Sequence, residues 1–200
     1  MAFDMMQQKQ EKKQSLVESA YELFLHKGFQ KTSIDEIVKN AKVAKGTFYL
    51  YFRDKSDIMQ HIVLHISCRV LKDAYDNMMA NDTGDFVENI ILIADFIINY
   101  FTKNKLVLQM VERNFSWPLI REKLDDEQFS VLNDILASCF SHPYLEGHSQ
   151  DEIYKLLFVI IELCGSISYT SIIMNQPDTI ENMKPFLYDI IRKILRKEPA

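Results

Sequence analysis

The sequence predicts an all-α protein in two parts, and three observations carry that prediction. Glycine and proline number only five each among 200 residues, few turn-formers for a chain of many short strands. Apolar residues recur three and four apart along most of the chain, and strand-like alternation persists nowhere. Near the front, within about 33–52, two short helical segments flank a tight turn, ahead of a much longer helical remainder. The expected division is a three-helix, helix-turn-helix domain over 10–70 and a larger helical domain over 71–200.

Each element follows from local residues. Residues 1–10 read as a frayed polar arm. Over 11–27, Leu16, Ala20, Leu23 and Phe24 follow helical spacing. Gly28 is placed to end that helix in a left-handed C-cap, with Phe29 packing behind it. Ser33-Ile34-Asp35-Glu36 is a capping box, and Ile34, Ile37, Val38 and Ala41 form one apolar stripe. A second short helix is expected over 44–51. Asp54 suits the N-cap of a long helix reaching Ala80, which Asn-Asp-Thr-Gly at 81–84 stops. Helices are then expected over 85–103, 105–114 and 118–140, with Trp117-Pro118 marking a break. A loop over 141–149 precedes a long helix over 150–175, a turn at 176–178 and a last helix over 178–197.

The segment over 32–55 is the most informative. Phe48 and Phe52, four apart, give its second helix a face to bury. Lys45, Thr47, Tyr49 and Tyr51 remain for the other face. A helix that enters the major groove needs this division. Lysine neutralises phosphate, and hydroxyls donate to phosphate oxygens and fix register. Gly46 permits close backbone approach, and Lys55 falls where free helix-start amides already favour a phosphate. Charge agrees: residues 1–60 carry net +2 and residues 61–200 net −7, and between Lys39 and Lys55 five basic residues face one acid, Asp54. Double-stranded DNA is the expected partner.

The same residues resemble the DNA-binding domain of the TetR/AcrR family of bacterial repressors. The signature runs through Phe24, Lys27-Gly28-Phe29, Thr32-Ser33-Ile34, Ile37, Ala41, Val43, Lys45-Gly46-Thr47-Phe48-Tyr49, Tyr51-Phe52 and Lys55. The resemblance implies three N-terminal helices, the second and third forming the reader. It implies DNA contacts at Ser33, Lys45, Gly46, Thr47, Tyr49, Tyr51 and Lys55. It also implies a helical C-terminal domain that dimerises and binds a small molecule. Two positions depart from the family pattern: Lys42 stands where glycine is usual in the turn, and Ala44 where serine is usual before the Lys-Gly pair. Ala44 has no side chain to cap the reading helix.

In the larger half, Leu156, Ile160, Leu163 and Ile167 form one helical stripe, and Met183, Leu187, Ile190 and Ile194 another. They are expected at a homodimer interface, because two half-sites of a palindromic operator need two readers about one DNA turn apart. Packing inside one chain is the competing reading. Phe96, Tyr100, Met110, Phe115, Trp117 and Tyr169 could line a pocket for an apolar or planar effector, against ordinary core packing. Glu88, Asp95, Asn99 and Lys103, and separately Asp151, Lys155, Glu162 and Ser166, read as solvated faces.

Other chemistry is expected to be absent. His61 and His65 are four apart but lack an adjacent acid or cysteine, so no metal or cofactor is expected. No nucleophile–base arrangement suggests an enzyme. Cys68, Cys139 and Cys164, odd in number, read as reduced core residues of a cytoplasmic protein. Polar residues interrupt the apolar runs at 90–101 and 156–174, and no membrane span or signal peptide is expected. The expected function is a repressor released from DNA by a small molecule. The alternatives are a regulator controlled by a protein partner, or a helical binding protein or enzyme with a vestigial DNA-binding domain.

Overall fold

The computed structural model describes residues 2–114 and 130–196, and the side chains of 7–111 and 134–196. The described residues are helical throughout, apart from turns and one 3-10 turn at Pro143–Leu145. The helices are α1 (Ala2–Lys27), α2 (Ile34–Asn40), α3 (Lys45–Tyr49), α4 (Lys55–Ala80), α5 (Phe86–Lys103), α6 (Lys105–Asn114), α7 (Ser130–Phe140), α8 (Gln150–Ile173) and α9 (Ile180–Leu195). Two compact units divide within α4 between His65 and Ile66, and the end of α6 from Arg113 is assigned to the first. The expected arm over 1–10 is instead the first turns of α1: from Ala2 to Gln10 the chain holds no glycine or proline to break a helix. The break at Trp117-Pro118 and most of the helix expected over 118–140 lie outside the described residues.

In the first unit, α1, α2 and α3 pack on one another. Leu16, Ala20, Ile37 and Phe48 lose all solvent contact, with Phe24, Phe52 and Ile58 beside them. Burying a side chain of this size contributes about 1.5–3 kcal/mol. Polar contacts fix the helix angles. The hydroxyls of Ser15 and Ser19 on α1 donate to the carbonyls of Ala41 (3.1 Å) and Ile37 (2.9 Å) at the end of α2.

The turn between α2 and α3 is set by its backbone. The amide of Lys42 donates to the carbonyl of Lys39 (3.2 Å) and that of Val43 to Val38 (3.0 Å), the paired bonds of a Schellman ending. That ending places Lys42 at φ 57°, a left-handed conformation that glycine adopts at little cost. Gly28 adopts the same region, φ 86°, after α1.

In the second unit, α5, α8 and α9 pack on one another. Val87, Ile98, Ile153, Leu187 and Ile191 are buried among them. Two caps start these helices. Asp85 accepts from the amides of Val87 and Glu88, and Ser149 and Glu152 form a second capping box. Burial pushes the Cys68 thiol up to about 11 and that of Cys164 up to about 12, so neither is a thiolate at neutral pH.

A polar seam joins α5 to α9, and it overturns the expectation of a solvated face for Glu88, Asp95 and Asn99. The Tyr188 hydroxyl donates to Asp95, and Lys184 Nζ lies 3.1 Å from the same carboxylate. Asn99 donates to Asp95 (2.7 Å) and accepts from Lys184. One turn pair away, Arg192 holds Glu88 through two nitrogens at 2.8 and 2.9 Å, with Arg196 also on Glu88 at 3.1 Å. The Arg192 hydrogen bonds hold the Glu88 carboxyl below its ordinary range. Burial, then the bond to Asp95, pushes the Tyr188 phenol up, so it stays a donor. Lys103 remains exposed, as do Asp151, Lys155, Glu162 and Ser166.

Candidate nucleic-acid interface

The second helix of the turn motif is short because its ends are set by its neighbours. Ala44 stands at the N-cap with no side-chain bond, and Leu50 closes the helix in a right-handed conformation. The helical path continues past Tyr49: the amides of Tyr51 and Phe52 both donate to Phe48 (3.0 Å). Phe48 faces inward at 0% exposure and meets the Phe52 ring at 5.8 Å. Lys45, Gly46, Tyr49 and Leu50 are open to solvent, with Thr47 half-buried.

Gly46 carries information of its own. Its backbone is ordinary, and a Cβ added there would meet nothing within 4 Å. The fold therefore has no need of glycine at this point, and glycine costs a helix about 1 kcal/mol against alanine.

The other expected contact residues divide by what already holds them. Lys45 forms an exposed ion pair with Asp35 at 2.8 Å, and that hydrogen bond raises its pKa. A phosphate would compete with Asp35 for the same ammonium. Ser33 is exposed, and its hydroxyl and amide are both engaged in the capping box with Glu36 (2.9 Å each). Glu36 also meets Lys27. The Lys27 hydrogen bond, then the Ser33 amide and hydroxyl, hold its carboxyl at about 2. Tyr49 is 54% exposed and sets its ring edge-on to Phe48.

Two residues have partners that the sequence did not disclose. The Tyr51 hydroxyl donates to the carbonyl of Lys9 on α1 (2.9 Å), so its proton is spent within the protein. Lys55, expected on a phosphate, donates instead to the carbonyls of Phe29 and Thr32, each at 2.7 Å. Its ammonium also lies 4.4 Å from the centre of the Phe29 ring. Lys55 thus pins the loop after α1 to the start of α4, where Asp54 accepts from the amides of Ser56 and Asp57 as expected. Its ammonium thereby fixes the position of the reader relative to α4. Sequence reasoning also passed over Leu50, which at 75% exposure is more open than Tyr49. Its exposure could have been found from helical phase, since it lies four residues after Gly46.

Elsewhere the expected sites separate. Of the six effector residues, Phe115 and Trp117 lie outside the described residues. Met110 is buried, Phe96 and Tyr169 are half-buried, and the Tyr100 hydroxyl accepts from Arg69 at 3.3 Å. Two open grooves are lined by none of the four described ones. One, of about 380 Å³, runs along Phe140, Ser141, His142, Leu145 and His148. The other, about 290 Å³, runs between Lys12 and Ser15 of α1 and the turn at Lys42 and Val43. His61 and His65 set their rings edge to face at 4.3 Å, with His61 also against Phe52.

The expected dimer stripes need a correction. Ile160 (5% exposed) and Leu187 (0%) belong to the core of a single chain, so they are closed to a partner. Leu156, Leu163, Ile167, Met183, Ile190 and Ile194 are half-buried. The apolar residues that α8 and α9 leave open are Phe158, Val159 and Phe186. The helical period was right, but each stripe was read too far toward the inner side of its helix.

Residues 16–62 match the family described as bacterial regulatory proteins, tetR family. The transposon Tn10 TetC protein of Escherichia coli is 32% identical over 148 residues, 72% of this chain and 73% of that protein. Among solved structures, a TetR-family transcriptional regulator of Syntrophomonas wolfei superposes with a TM-score of 0.65 at 20% identity, over 96% of this chain and 98% of its own. FadR of Thermus thermophilus, a TetR-family repressor in complex with lauroyl-CoA, superposes with a TM-score of 0.64 at 17% identity, over 94% and 96%. The family match covers the whole turn motif and the relative extends over most of the chain, and the chain belongs to the TetR family of DNA-binding transcriptional regulators.

Proposed function

We propose that this regulator is a cytoplasmic, homodimeric repressor that a small molecule releases from a palindromic operator. The observation that carries DNA reading is Gly46, a glycine that the fold does not require at the centre of the outward face of α3. Phosphate contacts come from Lys45, Thr47 and Tyr49, with Lys42 and the 84%-exposed Arg53 as further cations, and from the Ser33 hydroxyl on exchanging its bond to Glu36 for a phosphate oxygen. Tyr51 and Lys55 hold that surface in place.

Dimerisation is supported by α8. It is long, its most apolar 18 residues have a mean hydropathy of 2.0, and only 22% of that stretch is buried within one chain. A second copy laid on Phe158, Val159, Phe186 and the half-buried Met183 and Ile190 would cover what remains, with Gly165 and Ser166 allowing close approach. The effector acts as a population shift. It binds the second unit more tightly in a form whose two readers miss the half-site spacing, and α4, one continuous helix over Lys55–Ala80, carries that change toward the reader. The lauroyl-CoA bound by the Thermus thermophilus regulator makes acyl thioesters the first compounds to assay.

The test is fluorescence anisotropy on DNA from immediately upstream of the chain's own gene, with scrambled competitor, over a salt series. Competitor-resistant binding by two copies, reversed by an added small molecule, is the expected result. Binding that is blind to sequence and lost at modest salt would mean phosphate contact alone and would reject operator recognition at that promoter.

A further inference from the structure

We infer that Leu50 is a sequence-reading residue, whose side chain packs on the C5-methyl group of a thymine in the major groove. This rests on the reading of α3 as the DNA-contacting helix.

Single exposed apolar residues are common on protein surfaces and carry no meaning by themselves. Leu50 differs in where it stands. It is the most exposed large apolar side chain named among the described residues, 75%, ahead of Phe186 at 60%. The backbone around it is helical, so Gly46, Thr47 and Leu50 share one face, opposite Phe48 and Phe52. Helical side chains lean toward the N-terminus, which directs Leu50 over the turn that contains Gly46. Apart from its two chain neighbours, no side chain, Leu50's included, comes within 4 Å of where a Gly46 Cβ would stand. An apolar group and an open notch thus sit side by side. Lys45 borders them on one flank, and Arg53 lies three residues along the chain.

These surroundings select the occupant. A protein partner would be expected to cover a wider apolar area, whereas the open neighbours here are a glycine, the single Tyr49 ring with its hydroxyl, a half-buried threonine and Lys45. A phosphate-lined groove supplies anions for the cations, and on its floor the one apolar group that a base edge offers is the thymine methyl. The half-buried Thr47 beside Leu50 offers a second methyl to the same group and a hydroxyl to a neighbouring acceptor. Of the other side chains on this face, Lys45 is charged, Tyr49 carries a hydroxyl and Thr47 is half-buried, so Leu50 is the most open apolar group for the methyl.

The experiment starts from DNA enriched from a random pool by the full-length protein. Each thymine of the enriched site is then replaced in turn by deoxyuridine, which removes the methyl and nothing else. For the natural protein, affinity is expected to fall roughly fourfold at one thymine per half-site, the effect of losing one buried methyl. In Leu50→Ala the same replacement is expected to change nothing, while its affinity for the thymine site matches that of the natural protein for the uracil site. Leu50 is exposed, so the variant keeps its fold, which helical circular dichroism checks. Insensitivity of the natural protein at every thymine overturns the proposal. So does a sensitive thymine that stays equally sensitive in Leu50→Ala, or a change in oligomeric state on that substitution with no methyl effect. Failure to enrich any sequence would instead overturn the DNA-reading function beneath it, a distinguishable result.

Discussion

At the residue scale, stability and recognition pull in opposite directions along α3. Gly46→Ala is expected to raise thermal stability slightly, by about 0.5–1 kcal/mol. It should nonetheless weaken operator binding at least tenfold, because the added methyl stands where the DNA backbone passes. Equal loss of both would assign Gly46 to the fold. Lys42 and Ala44 give the converse pair. Lys42→Gly relieves a left-handed lysine and should stabilise by about 1 kcal/mol, while removing one cation near the DNA. Ala44→Ser supplies the missing cap of α3 and should add about 1 kcal/mol in denaturant titration. Both departures were visible in the sequence, and so was the Ser33–Glu36 box, because caps and turns are local. The partners of Lys55 and Tyr51 were not. They are carbonyls 23 and 42 residues away, and no pattern of residue types announces a backbone acceptor.

At the element scale, what matters is how helices are tied to each other. The α1–α2–α3 arrangement was legible because Leu16, Ile37 and Phe48 fall in helical phase and all point inward. The α5–α9 seam was illegible for the opposite reason. A row of charged residues on one helix looks the same whether it faces water or a complementary row 85 to 108 residues on. Tyr188→Phe removes the donor to Asp95 and is expected to cost about 1–2 kcal/mol of unfolding free energy. An unchanged midpoint would show that Lys184 and Asn99 satisfy Asp95 alone. The start of α2 has its own signature in pH. Glu36 titrates at about 2 in the folded chain, against an ordinary 4.5. A lowered carboxyl pKa contributes stability that is complete above the unfolded value and lost as pH falls toward the folded one. The stability gap between the natural protein and Glu36→Gln should therefore be flat above pH 4.5 and close between 4.5 and about 2. A gap that persists unchanged at pH 2 would refute the assignment.

At the scale of the whole molecule, α8 and α9 separate two kinds of apolar residue that their sequence stripes had merged. Leu187 is fully enclosed, and Leu187→Ala is expected to destabilise the fold by about 2–5 kcal/mol. Val159 is 49% exposed, and Val159→Glu should leave helicity intact. In sedimentation it should yield single chains, with operator affinity reduced in parallel. A folded Val159→Glu variant that still sediments as two chains would exclude this face from the interface. Period and hydrophobicity revealed both helices, but telling inner from outer faces needed to know which side α5 occupies.

The dimer proposed on the open face of α8 would also tie the regulator to its own abundance. A surface that closes only when two copies meet makes folding strength and operator occupancy follow the law of mass action. Few copies per cell would sit as single chains, and occupancy would climb with about the square of their number. Gene control would then respond to how much protein is made as sharply as to any small molecule. A melting midpoint that rises with protein concentration would be the signature of that coupling.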